Sequence, residues 1–167
     1  KERGWSLQES EAVSWMRDIF AAIGALHSNG ICHRDIKPDN FMVSKNMLKL
    51  ADFGLATFVP PARRLALKCG TPSFMAPELH LIPVASRGYF FPVDMWAAGV
   101  TMYMVMHGGR PPFITSSGRL DRLNLIDGTL EFPGNTVLGV SAFGFRGSRF
   151  SDAARHLCRR MIEPDMK

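Results

Sequence analysis

Apolar residues near the start of the chain recur at steps of three and four positions, the period of an α-helix with one buried face. They are Val13, Met16, Ile19, Phe20, Ile23 and Leu26. The preceding Ser6-Leu7-Gln8-Glu9 has the form of a capping box, and Asn29-Gly30 is typical of a helix end. The pattern predicts an amphipathic helix between these two signals.

A second pattern predicts a β-hairpin. Two short apolar runs, residues 41–43 and 48–50, flank the turn residues Ser44-Lys45-Asn46. Asn40 and Asp52 lie at equal sequence distances from Asn46. Antiparallel pairing is therefore expected to bring these two oxygen-bearing side chains side by side at the open end of the hairpin.

The apolar run from Val93 to Met106 predicts a buried core helix. It contains Asp94 and is shorter than the roughly 20 residues needed to span a bilayer, so no membrane span is expected. Further along, residues 135–149 are glycine-rich and without clear period, and they predict a loop of unassigned function. The predicted fold class is mainly α with a small β-hairpin.

The charge and the cysteine content of the chain indicate which partners and which cellular compartment to expect. Lys and Arg total 20 against 15 Asp and Glu, giving a net charge of +5, but the basic residues are scattered and lack an aromatic platform for bases. We therefore expect no nucleic-acid partner. Cys32, Cys69 and Cys158 show no C-x-x-C spacing, which indicates neither a disulfide framework nor a zinc site and favours an intracellular, cytoplasmic location.

Three short motifs follow one another along the chain. They are His33-Arg34-Asp35-Ile36-Lys37-Pro38-Asp39-Asn40, Asp52-Phe53-Gly54 and Ala76-Pro77-Glu78. In this order and spacing they resemble the large C-terminal lobe of a serine/threonine protein kinase, with a segment at Cys69-Gly70-Thr71-Pro72 similar to calmodulin-dependent kinases. The resemblance implies one kinase-lobe domain over residues 1–167. It contains a catalytic loop (33–40), a metal-binding loop (52–54) and an activation segment (55–78).

The small lobe of the family is not expected in this sequence. Only 32 residues precede His33, and no G-x-G-x-x-G occurs among them. The chain is expected to be a fragment or a natural truncation, and phosphotransfer by these residues alone is not expected.

The resemblance assigns catalytic roles to Asp35, Lys37, Asn40 and Thr71. Asp35 matches the general base that accepts or orients the proton of the attacking hydroxyl. Lys37 matches the cation that neutralises charge on the transferred phosphoryl group, and lysine here is similar to kinases that act on serine and threonine. The hydroxyl of Thr71 is expected to bridge Asp35 and Lys37.

The expected cofactors are ATP and Mg²⁺. Magnesium favours carboxylate and amide oxygens and completes its octahedron with water and phosphates, so Asn40 and Asp52 are the predicted metal ligands. The alternative is that both are ordinary turn residues. Nucleotide contacts are expected from Lys37, Asp39, Asn40, Met42 and Asp52.

Further residues have structural counterparts in the family. The ring of His33 is expected to pack near Phe53, and the carboxylate of Asp94 is expected to hold the backbone of the catalytic loop. Glu78 resembles the acidic member of a buried ion pair whose arginine is replaced here by Lys167, which would weaken the pair.

The activation segment departs from the family at Leu67, where many relatives carry a phosphorylatable threonine that pairs with the arginine at Arg34. No Ser, Thr or Tyr lies between Phe58 and Lys68. Activity is therefore expected to be independent of phosphorylation at the usual site, and regulation is expected from a partner or domain outside the chain.

Three functions are compatible with these residues. The first is an ATP-dependent protein kinase acting on protein substrates; Asp39 suggests a preference for basic residues before the target, although Met104 fills the second acidic position of such kinases. The second is an inactive kinase-lobe fragment that serves as a docking module. The third is a small-molecule phosphotransferase, which Gly70-Thr71-Pro72 and Ala76-Pro77-Glu78 disfavour.

Overall fold

The structure is a computed structural model that describes residues 8–132 and 150–164. Five helices, α1 to α5, are Glu9–Ser28, Pro77–His80, Pro92–Met106, Arg122–Asp127 and Asp152–Met161. Four strands, β1 to β4, are Ile31–Cys32, Phe41–Ser44, Met47–Leu50 and Thr57–Phe58. Among the described residues, far more lie in helices than in strands, and the strands form only two small antiparallel pairings, which confirms the predicted fold class.

Helix α1 begins later than the predicted capping box. Gln8 precedes the helix, and its backbone N–H donates to the Glu11 carboxylate at 2.9 Å. Glu9 is the first helical residue, and its carboxylate accepts the backbone N–H and the hydroxyl of Ser151 at 2.8 and 2.6 Å. The predicted capping box of Ser6 with Glu9 involves a position outside the described residues, and the capping box present at the start of α1 is formed by Gln8 and Glu11. Glu9 instead connects α1 to the start of α5.

The buried face of α1 follows the predicted period with one correction. Its buried residues are Ala12, Met16, Ile19 and Ile23. Val13 is 50% exposed, so its placement on the buried face was wrong. Spacings of four, three and four residues keep the buried stripe narrow, and Val13 falls at its edge.

The predicted hairpin is formed by β2 and β3. The pairs run from Phe41 with Leu50 to Ser44 with Met47, and the two turn residues, Lys45 and Asn46, have φ of 49° and 63°. Positive φ at both positions belongs to the tight turn that matches the twist of a hairpin.

The register of the hairpin corrects the predicted symmetry about Asn46. Asn40 lies opposite Ala51, whose N–H donates to the Asn40 carbonyl at 2.8 Å, so Asp52 stands one residue beyond Asn40. The centre of the turn falls between Lys45 and Asn46, because the turn has two residues and not three. Both side chains still belong to the open end of the hairpin.

Helix α3 is the buried helix that the apolar run predicted, and α1 and α5 pack against it. Ten of its 15 residues are buried. A Cβ at Gly99 would lie 2.8 Å from the Met161 Cβ, so glycine here permits the close approach of α5. In the described part of the chain, no helix is long and apolar enough to cross a membrane.

Candidate active site

Helix α3 holds the catalytic loop through Asp94, which is 1% exposed. Its two carboxylate oxygens accept the backbone N–H groups of His33 and Arg34, each at 2.8 Å. His27 Nε2, at the end of α1, lies 2.9 Å from the same carboxylate. The predicted contact of Asp94 with the loop backbone is confirmed. One buried carboxylate thus ties α1, α3 and the catalytic loop together.

His33 supports the loop from inside and is completely buried. Its Nδ1 accepts the N–H of Asp35 at 3.3 Å, and its Nε2 lies 3.2 Å from the Ala51 carbonyl. A ring with its proton on Nε2 satisfies both contacts. The ring centroid lies 5.4 Å from that of Phe53 in an edge-on arrangement, which confirms the predicted packing.

The side chains of Asp35, Lys37, Asn40 and Thr71 meet in one cluster. Asp35 Oδ2 accepts from Lys37 Nζ at 2.8 Å and from Asn40 Nδ2 at 3.2 Å. Asp35 Oδ1 accepts the Thr71 hydroxyl at 2.7 Å and the Thr71 N–H at 2.9 Å. Lys37 Nζ also donates to the Thr71 hydroxyl at 2.8 Å, so the predicted Thr71 bridge is present. The catalytic roles of these residues stay predictions.

The contacts of Asp35 set its protonation state. Burial raises the pKa of this carboxyl, but the hydrogen bonds from Lys37, Thr71 and Asn40 outweigh burial and hold the pKa below its ordinary value. Asp35 is therefore ionised at neutral pH. A fixed carboxylate beside a fixed ammonium can orient a hydroxyl and stabilise negative charge next to it.

Gly70 allows Thr71 to reach Asp35. Its φ is 103°, and a Cβ at this position would lie 2.4 Å from the Arg34 carbonyl oxygen. The activation segment therefore crosses the catalytic loop at a backbone contact that only glycine permits. In the sequence Gly70 is visible only as part of a motif, because the close approach joins distant parts of the chain.

We predict that Gly70→Ala displaces Thr71 from Asp35. The clash with a backbone oxygen adds to the cost of positive φ, which is about 1–2 kcal/mol for a residue with a Cβ. Amide hydrogen exchange should show the Thr71 N–H losing most of its protection. Gly118→Ala is the matched control, because Gly118 has φ of 76° but nothing within 4 Å of a Cβ. Unchanged protection of Thr71 in Gly70→Ala would contradict the prediction.

The donor set at the open end of the hairpin fits Mg²⁺ held together with phosphates. Asn40 is 6% exposed, and its amide nitrogen donates to the carbonyl and the carboxylate of Asp35, so its amide oxygen is the atom that would bind a metal. Asp52 is exposed with φ of 56°, and one of its oxygens accepts the Gly54 N–H at 3.3 Å. Within the described ranges, no three His, Cys, Asp or Glu side chains group as a metal cage. One carboxylate and one amide oxygen match Mg²⁺ that takes its other ligands from phosphates and water.

The other predicted nucleotide contacts lie on the open side of the hairpin. Asp39 is exposed, and Met42 exposes 60% of its surface. Their contacts with a nucleotide stay predictions. The predicted pair of Glu78 with Lys167 and the predicted loop at 135–149 involve positions outside the described residues.

The comparisons with known proteins agree with this geometry. A family model described as the protein kinase domain matches residues 1–167. The chain is 39% identical to mouse serine/threonine-protein kinase DCLK3 over 166 residues, covering 95% of the chain and 19% of that protein. It is 40% identical to the human phosphorylase b kinase gamma catalytic chain, liver/testis isoform, over 111 residues, covering 65% of the chain and 27% of that protein.

A third relative is mouse sperm motility kinase 2B, which is 44% identical over 113 residues, covering 66% of the chain and 22% of that protein. The chain therefore spans about a fifth to a quarter of the length of these curated relatives. All three relatives are named as kinases, and two of them match only part of the chain. Together with the family match over all 167 residues, these similarities place the chain in the protein kinase family.

Proposed function

We propose that the chain forms the catalytic lobe of an ATP-dependent protein serine/threonine kinase, which transfers the γ-phosphate of Mg-ATP to hydroxyl groups of protein substrates. The observation that carries the proposal is the cluster in which Lys37 and Thr71 both contact the Asp35 carboxylate. A carboxylate that could orient a hydroxyl and a cation that could bind phosphate therefore lie in contact with the activation segment, and this supports the proposal.

Each residue of the cluster has a task in that reaction. Asp35 binds and orients the substrate hydroxyl and receives its proton as the new bond forms. Lys37, 2.8 Å from Asp35, balances the charge of the phosphoryl oxygens. Asn40 and Asp52 are the residues that would hold Mg²⁺, which supplies charge neutralisation for the nucleotide phosphates when it is bound.

The hydroxyl-bearing substrate is proposed to dock on the activation segment beside Thr71. Asp39, one residue before Asn40, has an exposed side chain, which supports a preference for peptides with basic residues before the target.

A regulator outside this chain and an intracellular, cytoplasmic location are part of the same proposal. Cys32, Cys69 and Cys158 are free thiols, in keeping with a reducing compartment.

The test is a phosphotransfer assay on the full-length gene product with Mg-ATP. Three peptides of one basic sequence carry Ser, Thr or Tyr as the acceptor. We expect label on the Ser and Thr peptides, none on the Tyr peptide, and none when Mg²⁺ is chelated. Absence of both transfer and Mg²⁺-dependent nucleotide binding would favour the alternative of an inactive docking module.

We predict that activity does not require phosphate on the activation segment. Leu67 exposes 62% of its surface at the position where relatives carry a phosphorylatable residue, and Arg34 Nε donates instead to the Leu55 carbonyl at 2.7 Å. Phosphatase treatment should leave the phosphotransfer rate unchanged. Mass spectrometry of Thr57, Thr71 and Ser73 verifies that no phosphate remains on these residues. A rate that falls as phosphate is removed from one of these residues would contradict the prediction.

A further inference from the structure

The hydroxyl of Tyr89 lies between the catalytic loop and the activation segment. Tyr89 is 1% exposed and stands in the connection between α2 and α3. Its hydroxyl donates to the Leu67 carbonyl at 2.6 Å and lies 3.4 Å from Arg34 Nη1, which can donate to it. The Cys69 Sγ is 3.8 Å from the same oxygen. The phenol therefore contacts the arginine next to the catalytic Asp35 and the segment that carries Thr71.

The backbone of Tyr89 is also paired with the activation segment. Its N–H and carbonyl exchange two hydrogen bonds of 2.9 Å with Leu65. Gly88 permits this approach, because a Cβ there would lie 2.4 Å from the Leu65 carbonyl oxygen. The ring is thus held in register, and its hydroxyl is delivered to Leu67, two residues along the segment.

A neutral phenol suits this position because it donates one hydrogen bond and accepts others at the same time. Burial raises the pKa of Tyr89 to about 12, so the phenol keeps its proton at physiological pH. Arg34 in turn donates through Nε to Leu55, the first residue of the activation segment. Arg34 therefore holds one end of the segment directly and reaches Leu67 through the phenol.

We propose that Tyr89 is a positioning residue that replaces a loop phosphate, coupling Arg34 to the part of the activation segment that precedes Thr71. The effect on catalysis rests on the proposed kinase function, whereas the coupling itself does not. A phosphate would pair with Arg34 through charge and could be removed. The phenol makes a permanent, uncharged connection, which explains how a segment without a phosphorylatable residue between Phe58 and Lys68 is kept in place.

The direct test is limited trypsin digestion of the full-length gene product carrying Tyr89→Phe. Arg63, Arg64 and Lys68 lie exposed in the segment and are trypsin sites. Loss of the hydroxyl leaves the Leu67 carbonyl and Arg34 without this partner, so cleavage at these sites should be about tenfold faster because the segment opens more often. This readout does not depend on phosphotransfer.

Tyr103→Phe is the matched control. Tyr103 is also buried, its hydroxyl donates to the Glu131 carbonyl at 2.7 Å, and burial likewise raises its pKa to about 12. The Tyr103→Phe variant loses an equivalent hydrogen bond that lies away from the activation segment. Its rate of trypsin cleavage at the three sites should therefore equal that of the unchanged protein. Cleavage of Tyr89→Phe at the rate of Tyr103→Phe would overturn the proposal.

A rescue variant separates coupling from packing. Leu67→Glu in the Tyr89→Phe background gives Arg34 a carboxylate to bind and should restore resistance to trypsin. In kinetics, Tyr89→Phe should raise KM for the peptide several-fold, leave KM for ATP unchanged, and recover with Leu67→Glu. Failure of Leu67→Glu to restore resistance would also overturn the proposal. Restored resistance in a protein without phosphotransfer would support the coupling and reject the kinase function.

Discussion

Asp35→Asn is expected to lower kcat for phosphotransfer by about 10²–10⁴-fold, the usual contribution of a positioned general base. The amide cannot receive a proton from the substrate hydroxyl. It also presents an NH₂ group where Asp35 now accepts from Lys37 or Thr71 at 2.7 to 2.9 Å. The loss should appear in kcat more than in KM for ATP, because the predicted metal ligands are Asn40 and Asp52. Steady-state kinetics of the full-length gene product measures this.

The control for Asp35→Asn is Asp127→Asn, which removes an exposed carboxylate on α4 and should leave kcat unchanged.

The pH dependence of the phosphotransfer rate gives a second check on the role of Asp35. Since the pKa of Asp35 is held below its ordinary value of 3.8, the group stays ionised as pH falls from 7 to 5. Its contribution to stability is present above that ordinary value and is lost only as pH falls through the lower folded value. Protonation of Asp35 should therefore cause no loss of rate between pH 7 and 5.

Asp94→Ala is expected to have the largest effect on stability. It leaves the buried N–H of His33 and the partly buried N–H of Arg34 without acceptors and removes the contact with His27. Each buried unpaired group costs about 1–3 kcal/mol, so the free energy of unfolding should fall by several kcal/mol. The melting temperature should drop by roughly 5 °C or more, and phosphotransfer should be lost because the catalytic loop is released. Thermal denaturation with a parallel activity assay measures both effects.

Asp18→Ala is the comparison for Asp94→Ala. Asp18 is partly buried and accepts a single backbone N–H, that of Leu48, at 2.8 Å. Its loss should cost about 1 kcal/mol and leave the catalytic loop in place. If Asp94→Ala melts no lower than Asp18→Ala, Asp94 is not the residue that holds the loop.

Local patterns predicted the long elements of the fold. The periodicity of α1, the apolar run of α3 and the turn residues of the hairpin each act over a few neighbouring positions, and all three elements are present. The errors lie at boundaries. The register of the hairpin was shifted by one residue because a two-residue turn replaced the expected three-residue turn. The pairing of β1 with β4 was not predicted, since two residues per strand leave no alternation to detect.

The candidate site was predicted through its motifs, and the residues that sequence reasoning missed act over long sequence separations. His27 is 67 positions from Asp94, and Tyr89 is 55 positions from Arg34. A histidine in the last turn of a helix has an ordinary local explanation, because cations are favourable there. Tyr89 follows Gly88 in a connection with little pattern. Only the packing of the lobe shows that these side chains support the catalytic loop and the activation segment.

The measurement that tests the central claim most directly is a single-turnover assay. Label is followed from the γ-phosphate of Mg-ATP to a serine peptide, using the full-length gene product with Asp35 intact and with Asp35→Asn. At equal nucleotide occupancy, the claim predicts rapid transfer by the intact protein and a rate at least a hundredfold lower in the variant. Equal rates in the two proteins, or no transfer by either while Mg-ATP is bound, would contradict the assignment of this lobe as a catalytic one.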